Sequence, residues 1–474
     1  MIFSAISTKR IIAFIVSLAL FMDALDTTII NTAIPAMSRS LNVNPIDLKI
    51  ALISYLISLA IFIPISGWIA DKYGTKRVFI GALTIFTISS FWCGYAHNLT
   101  ELIASRFTQG LGGALMLPLG RLIILRTFQR HELINAMNHV VMVVSTGLML
   151  GPLAGGFITD HLSWHWIFWV NIPVGIFAVL MSAYWLKDTA SRKVRPFDLT
   201  GFILFGGGLA LLTFSLSDLS ESTKRQHLAL PMMGIAFMML AIYFLYSFKQ
   251  KHPIINIELF RIRTFRISII GNLFARLGFG GIPFLLPLLL QIGLGYSAQL
   301  SGALLVPIAI GILLVKAVSL RVLRFLGYKR LLLLNTFLVG FALWAFQIVG
   351  AHTSIYVIAS LTFLFGFLIS LQYSGMNSLA YADISSDDLS AATSIVGTMQ
   401  QVAQSFGVAA SALLLRYYSS NSTEHFVLTP NVFHQTFFAM GFITFLSTLI
   451  FLHLKSNDGH QMLTTPAQDK VAVH

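Results

Sequence analysis

Charged residues and cysteine are both scarce in this sequence of 474 residues. Only 10% of the residues are charged, against roughly 25% in an ordinary soluble protein, whereas 56% are hydrophobic. This composition excludes a soluble globular fold. The single cysteine, Cys93, excludes a disulfide within the chain.

Signatures of catalysis and of metal binding are absent as well. The sequence has no phosphate-binding loop of the G-x-x-x-x-G-K-[ST] type and no metalloprotease or hydrolase motif. His161 and His165 lie beside tryptophans at the end of an apolar segment, and we interpret them as polar anchors at a membrane interface. An enzyme, an ATP-driven machine, a cofactor and a metal site are therefore not expected.

What the sequence does contain is a succession of long apolar segments. About 20 mostly apolar residues cross a bilayer, and the first such segment passes Asp23 and Asp26 without a cleavage site, so it is expected to be retained. The segments lie at about 11–35, 48–70, 78–96, 101–125, 136–159, 164–186, 199–217, 228–248, 267–290, 299–320, 331–350, 354–380, 391–416 and 432–454. The predicted fold class is an all-α polytopic membrane protein with fourteen transmembrane helices.

The distribution of basic residues predicts the orientation, because short cytoplasmic loops retain Lys and Arg. If the N-terminus is inside, 22 of the 31 Lys and Arg residues fall in cytoplasmic segments. Both termini are therefore predicted to be cytoplasmic. The formal charge of +13 is explained by loops at the membrane face, so nucleic acid is not an expected partner.

A faint internal repeat predicts the domain organisation. Residues 71–77 (DKYGTKR) follow the second span, and residues 324–330 (RFLGYKR) follow the tenth. These positions correspond if two helices are inserted between two six-span halves. We predict an N-terminal six-helix bundle at 1–187, two inserted helices at 188–253, a C-terminal six-helix bundle at 254–460 and a cytoplasmic tail at 461–474. Parallel halves of this kind are a transporter design.

Three charged residues lie deep in the predicted membrane region. Asp23 and Asp26 are three residues apart on the first span and lie near one face, and Arg106, on the fourth span, lies at a similar depth. A charge at the bilayer centre costs about 2.5–3.5 kcal/mol or more, so Asp26 and Arg106 are predicted to pair. We interpret them as a proton-coupling site, with Asp23 beside it. The alternatives are a static ion pair between the two spans and a polar cap near the outer interface.

The fifth span carries a run of small residues, Gly147, Gly151, Pro152, Gly155 and Gly156. Glycines spaced four apart form a smooth stripe against which another helix packs closely, and Pro152 bends the span. We interpret the stripe as a contact suited to two halves that rock against each other.

The second half contains two cations without an obvious acidic partner. Arg276 and Lys316 are predicted to be buried, and polar residues in other spans complete a predicted substrate cavity: Asn31, Gln109, Gln372 and Asn377. A basic cavity would suit an anionic substrate. In the alternative interpretation the cations extend to the membrane surface or donate to helix carbonyl groups.

Several of these segments resemble motifs of the major facilitator superfamily. Residues 67–77 (GWIADKYGTKR), which include Gly67, Asp71, Gly74 and Arg77, resemble its signature loop after span 2, and residues 106–114 (RFTQGLGGA) resemble its span-4 motif. The glycine–proline run is similar to the antiporter motif of its exporters. Residues 25–35 and 166–173 resemble the fourteen-span drug:proton antiporters related to EmrB and QacA, most of all their MdtD-type members.

The resemblance implies the major facilitator fold, in a bacterial cytoplasmic membrane, with alternating access driven by proton entry. It places Arg106 near the proton site and Asp71 in a cytoplasmic lock that helps to close the inner gate. Two positions depart from the family pattern: His165 replaces an arginine of many relatives, and Arg324 occupies the place of Asp71 in the second half. A symmetric lock is therefore not implied.

The predicted function is proton-coupled export of drugs or other small amphiphilic solutes. The proton gradient would supply the energy, and the partners would be the substrate, protons and the lipid bilayer, with the protein acting as a monomer. Two alternatives remain open: a dedicated exporter of an anionic metabolite or siderophore-like metal chelate, and a membrane sensor or scaffold that transports nothing.

Overall fold

The computed structural model describes residues 8–187, 196–219, 226–250, 253–385, 388–421 and 427–462, and it is built from α-helices. They are α1 Thr8–Leu41, α2 Lys49–Phe62, α3 Ser66–Tyr73, α4 Thr75–Gly94, α5 Leu99–Thr127, α6 Arg130–His161, α7 Trp166–Trp169, α8 Asn171–Trp185, α9 Leu199–Asp218, α10 Gln226–Ser247, α11 Arg263–Phe279, α12 Ile282–Leu288, α13 Ala298–Ala345, α14 Ile355–Ala380, α15 Leu389–Ser420 and α16 Pro430–Phe451. All but two residues of the predicted tail at 461–474 lie outside the described residues.

Twelve helical stretches in the described ranges are long and apolar enough to cross a membrane, which confirms the prediction of an all-helical, multi-span protein. Two features separate this number from the fourteen predicted. The stretch Ala298–Ile348 has 51 residues and would be about 75 Å long, more than twice the thickness of a hydrocarbon core. Helix α15, with 32 residues, is not among the twelve.

Two glycines occupy equivalent places in the repeat. Gly74 joins α3 to α4 with φ 90° and ψ 135°, and Gly327 interrupts α13 with φ 70° and ψ 166°. Residues with a Cβ atom rarely adopt such angles, so glycine is required at both turns. The two sequence segments that resemble each other therefore also share a backbone conformation.

The two predicted halves, α1–α8 and α11–α16, make their most extensive apolar contacts at one end of the molecule, and α2 also meets α15 further along, at Ile61 and Val402. The largest hydrophobic core combines helices α11–α16 with three stretches of the first half, residues 25–53, 93–102 and 164–168. These three stretches flank the α1–α2, α4–α5 and α6–α7 connections. We call this the joined end. A second core, which includes residues 11–22 of α1, consists of first-half residues alone.

Polar contacts reinforce the joined end. The carboxylate of Asp160 accepts hydrogen bonds from the first backbone amides of α13, at 3.2 and 2.7 Å. Gln291 donates to the carbonyl oxygen of Thr32 over 2.9 Å, and Arg416 pairs with Asp47 over 3.3 Å. Each contact connects the two halves.

Helices α9 and α10 lie beside a contact between the halves. Helix α2 of the first half packs against α15 of the second, α9 packs against both of them, and α10 packs on α9. The other long contact between the halves is made by α6 and α13.

Candidate functional site

The centre of the candidate site is the carboxylate of Asp26, which is fully buried. Asp26 lies about 27 Å from the start of α1 and about 22 Å from its end. Its Oδ2 accepts a hydrogen bond from Arg106 Nη1 at 2.6 Å, and its Oδ1 accepts from Gln109 Nε2 and Asn171 Nδ2, both at 2.9 Å. Helices α1, α5 and α8 therefore meet at one carboxylate, and Arg106 compensates its charge.

Gln109 extends this network in two directions. Its Oε1 accepts from Arg106 Nη1 at 2.6 Å, and its Nε2 also donates to Ser90 Oγ at 2.8 Å. Within the described residues, Arg106 Nε and Asn171 Oδ1 are buried without a hydrogen-bond partner. Because an unpaired buried polar atom is costly, the network retains a donor and an acceptor that a rearrangement could satisfy.

Asp23 lies next to this network and is linked to it through Tyr55. The Tyr55 hydroxyl donates to Asp23 Oδ1, and the guanidinium of Arg106 stacks over the Tyr55 ring at 4.3 Å. A methyl group on Gly113 of α5 would lie 2.7 Å from the Tyr55 hydroxyl and 2.9 Å from Asp23 Oδ1. The glycine therefore leaves room for the Asp23–Tyr55 contact.

The signature segment, residues 67–77, forms an ion pair with α5 of the first half. Asp71 lies 3.9 Å from Arg126 at the end of α5, and Arg126 also donates to Thr75 Oγ1 at 2.6 Å. Gly67 and Arg77 are both exposed. In this structure the predicted lock residue Asp71 thus lies next to Arg126 of α5, a partner that the sequence analysis missed.

The glycine stripe of α6 faces mainly α1. A methyl group on Gly147, Gly151 or Gly155 would lie 2.8, 1.9 or 2.3 Å from an atom of α1. Gly156 instead faces the second half, where a methyl group would lie 2.2 Å from the Ala298 carbonyl oxygen, and the Pro152 carbonyl approaches Gly302 of α13. The predicted close helix approach is present, but most of the stripe lies inside the first bundle, and only Pro152 and Gly156 meet the other half.

In the second half, Arg276 is held by neutral groups. Its Nε donates to Asn272 Oδ1 at 2.8 Å, its Nη1 donates to Gln404 Oε1 at 2.9 Å, and its guanidinium stacks over Tyr373 at 4.2 Å. None of the ion pairs formed in the described part of the chain involves Arg276, and the residue is only partly buried.

The prediction that Lys316 is a buried cation is wrong. Its side chain is exposed, and its Nζ donates to Ser145 Oγ of α6 at 2.7 Å. Lys316 lies about 27 Å along α13 from its first residue, where a long side chain can reach the membrane edge.

The remaining residues of the predicted cavity bond to separate groups. Gln372 is fully buried and bonds to Asn335 and Thr336 between α13 and α14, at 2.8 and 2.9 Å. Asn377 accepts from Gln400 at 2.8 Å. Gln109 belongs to the Asp26 network, and Asn31 is buried on α1. Gln372 therefore has the position of a packing residue of the second bundle.

The two histidines next to α7 contact aromatic rings. His161 stacks on Phe157 and His165 on Trp164, with ring centroids 4.4 and 3.9 Å apart. Burial, and to a lesser extent the nearby His97, lowers the pKa of His165 below its usual value. No group of three or more potential metal ligands occurs within the described ranges.

The family is decided by comparison with known proteins. The family model of the Major Facilitator Superfamily matches residues 16–382 and, a second time, residues 268–472. The chain belongs to the major facilitator superfamily. Its superfamily relatives include MdtD, provisionally named a multidrug resistance protein, from Shigella flexneri serotype 5b (strain 8401) and from Escherichia coli O157:H7 (strain EC4115 / EHEC). Each is 35% identical over 449 residues, which cover 94% of this chain and 95% of the relative.

Solved structures of other transporters share the fold. The POT family transporter PepTSo superposes with a TM-score of 0.71 at 13% identity, over 97% of this chain and 99% of that one. A mutant of the nucleoside transporter NupG superposes with a TM-score of 0.65 at 14% identity, over 94% and 99%. These likenesses show the fold, whereas the family match and the MdtD relatives show that the chain is a multi-span membrane transporter.

The structure brings Asp26 and Arg106 together, as their predicted depths required, while their part in proton coupling stays a prediction. Sequence reasoning missed Asn171, Tyr55 and Ser90. Asn171 had a signal, because it lies in the family-like segment 166–173. Tyr55 and Ser90 had none, since tyrosine and serine are common in helices and nothing in their spacing marks the face they share with Asp26.

Proposed function

We propose that this superfamily member is a proton-coupled antiporter that exports small, amphiphilic, drug-like solutes from the bacterial cytoplasm by alternating access. The observation that carries the proposal is the buried Asp26–Arg106 pair, with Gln109 and Asn171 on the same carboxylate. Buried ionisable residues in a membrane protein mark ion pathways. The name of the MdtD relatives supports a drug-like substrate.

Protonation of Asp26 is the proposed switch. It removes the negative charge opposite Arg106, and separating the partners of a buried pair costs about 3–5 kcal/mol. One proton moving through 100 mV supplies about 2.3 kcal/mol. The amide groups of Gln109 and Asn171 lower the cost of separating the pair toward the energy that one proton supplies, because each amide can still bond to a protonated carboxyl group.

The contacts of α1 offer a route from this switch to the second half. Glycines of α6 bring its backbone against α1, and the adjacent face of α6, about 100° around the helix, meets α13 at Gly156 and Gly302. A displacement of α1 at Asp26 would therefore move α6 against α13. Because these contacts are close-packed, small shifts favour one discrete arrangement over another.

The proposed topology has fourteen spans in a 6+2+6 arrangement with both termini in the cytoplasm. The length of the stretch Ala298–Ile348 and its break at Gly327 support two spans there, and α15 supplies the fourteenth. The domain limits are those predicted above. In this orientation the joined end faces outward, so the structure is closed to the outside.

A second candidate substrate class is favoured by Arg276. This partly buried cation is bonded to the neutral groups of Asn272 and Gln404, and a guanidinium in such a setting would bind a carboxylate or phosphate group well. An anionic metabolite or metal chelate is therefore the alternative substrate to an uncharged or cationic drug.

Transport by purified protein in liposomes tests both candidates. With an acidic exterior as the only energy source, the wild-type protein is expected to move a lipophilic cation such as tetraphenylphosphonium uphill and to carry protons in the opposite direction. Asp26→Asn is expected to abolish uphill transport, and Glu258→Gln, a change at an exposed carboxylate, is expected to leave it intact. Uphill transport by Asp26→Asn would contradict the mechanism.

The same liposomes separate the alternatives by substrate. Transport of organic anions that is lost in Arg276→Gln, with no transport of lipophilic cations by the wild-type protein, would replace the drug substrate by the anionic one. A flat proton trace across the whole panel of cations, anions and chelates would favour a sensor or scaffold.

A further inference from the structure

An apolar groove opens between the inserted helices and the second bundle. It has a volume of about 500 Å³, which lies in the usual range of ligand sites. Helix α9 contributes Phe205, α10 contributes Leu240, Phe244 and Phe248, and α15 contributes Ile395 and Met399. The groove lies where α10 ends and α11 begins, at the membrane surface that the proposed orientation makes cytoplasmic.

Two arginines border this apolar groove. Arg261 and Arg266 line it, and both are exposed. Arg263, between them in sequence, is paired with Asp458, whereas no ion pair among the described residues involves Arg261 or Arg266. Two positive charges at the edge of an apolar channel match a ligand with a negative headgroup and a hydrocarbon tail.

The groove is preformed by hydrogen bonds and ring contacts. The hydroxyl of buried Tyr243 donates to the Ile255 carbonyl oxygen at 3.1 Å and accepts from the Ile255 amide at 2.8 Å, so the connection before α11 is attached to α10. The rings of Phe205 and Tyr243 lie 5.3 Å apart. Phe244 and Phe248, by contrast, are 49% and 46% exposed and leave the groove open toward the lipid.

We propose that this groove binds one anionic phospholipid of the cytoplasmic leaflet. The phosphate group contacts Arg261 and Arg266, since guanidinium groups bind phosphate oxygens in a bidentate manner, and an acyl chain lies along the phenylalanines. The bound lipid joins α10 to α15, which itself packs against α2 of the first half. The proposal depends on the orientation given above but not on the substrate or on proton coupling.

Lipid titration of the purified full-length protein in detergent tests the site, with binding followed by native mass spectrometry and thermal unfolding. Phosphatidylglycerol is expected to bind and to stabilise the wild-type protein more than phosphatidylcholine does. Arg261→Gln combined with Arg266→Gln is expected to weaken phosphatidylglycerol binding by about tenfold or more. Leu240→Trp, which fills the groove and keeps both arginines, is expected to weaken it as well.

A matched control uses two cations elsewhere. Arg324 and Arg330 line a separate basic cavity of about 920 Å³ and are also exposed, so Arg324→Gln combined with Arg330→Gln is expected to leave binding unchanged. An equal loss in this control would show general surface attraction and overturn the proposal. Equal stabilisation of the wild-type protein by phosphatidylcholine, or by soluble glycerol phosphate or inorganic phosphate, would overturn it too, as would full binding to Leu240→Trp.

Discussion

Gly151 is the closest point of contact in the stripe between α6 and α1, and Gly151→Ala is the most direct test of that packing. The added methyl group would lie 1.9 Å from Thr28 Oγ1, 2.9 Å from Thr28 Cβ and 3.1 Å from the Leu25 carbonyl oxygen. Normal contact distances for such atoms are about 3.5–4.0 Å. Thr28 must therefore rotate, or α1 must move away from α6.

The expected cost follows from this overlap. Overpacking of a close-packed contact costs about 1–3 kcal/mol of unfolding free energy. Among the described residues, the side-chain oxygen of Thr28 bonds to the carbonyl oxygens of Ala24 and Leu25 in its own helix, so Thr28→Ala removes the nearest atom at little cost. The double variant Gly151→Ala, Thr28→Ala is expected to recover part of the loss, with a coupling energy of about 1 kcal/mol, because the Cβ atom of residue 28 stays 2.9 Å away.

Two controls separate packing from other effects. Gly234→Ala in α10 adds a methyl group with no atom within 4 Å, so it reports the change in helix propensity alone. A methyl group on Gly155 would lie 2.3 Å from the Ile29 carbonyl oxygen and 2.5 Å from Thr32 Oγ1. Gly155→Ala is therefore not expected to be rescued by Thr32→Ala, because the backbone oxygen stays in place.

Unfolding by SDS titration in mixed micelles measures these free energies, and transport by the same variants in liposomes reports whether the α1–α6 contact matters for function. The reasoning fails if Gly151→Ala is as stable as Gly234→Ala. It also fails if Thr28→Ala adds its own loss to that of Gly151→Ala instead of restoring stability.

Three further predictions concern the ends and the core of the bundles. Asp160→Ala removes the cap that joins α6 to the start of α13. Because a lost cap costs about 1 kcal/mol, the hydrogen-exchange rate of the first α13 amides is expected to rise about fivefold. Asp160→Asn keeps an acceptor oxygen and is expected to retain the protection. Gln372→Leu leaves the Asn335 amide without a side-chain partner and is expected to cost about 1–3 kcal/mol of stability, with no change in KM for the transported solute. A raised KM at normal stability would instead indicate that Gln372 contacts the substrate. Burial and His97 lower the pKa of His165, so the unfolded chain takes up this proton first, and the contribution of His165 to stability is complete above about pH 6.5 and is lost as the pH falls. His165→Phe is expected to reduce the fall in Tm between about pH 7 and pH 5, and an unchanged dependence of Tm on pH would contradict the assignment.

Much of the architecture was predictable because it depends on local properties of the chain. The length of each apolar segment decides whether it can cross a bilayer. The glycine at 74 and its counterpart at 327 were aligned by the repeat, and both have a backbone conformation that favours glycine. The predicted depths of Asp26 and Arg106 also follow from counting residues along two helices, and the structure joins the two side chains.

The partners of the polar residues were harder to predict. Gln109 and Gln372 look alike in sequence, as amides within apolar spans, yet one bonds to Asp26 and the other to Asn335. Lys316 was expected to be buried and instead reaches Ser145. In a helix that is apolar on nearly every side, the sequence carries little information about which face meets which neighbour.

The sequence by itself determined that this protein is a helical membrane protein of many spans, with a carboxylate and a guanidinium at matching depth, and its division into two related halves stays a prediction. These are properties of segment length, composition and position along the chain. Only the tertiary structure decided that Asn171 and Gln109 complete the Asp26 network and that the α6 glycines pack on α1. The physical reason is that such contacts depend on how each helix is rotated about its axis and on its distance from helices remote in sequence, and close packing of the whole bundle sets both.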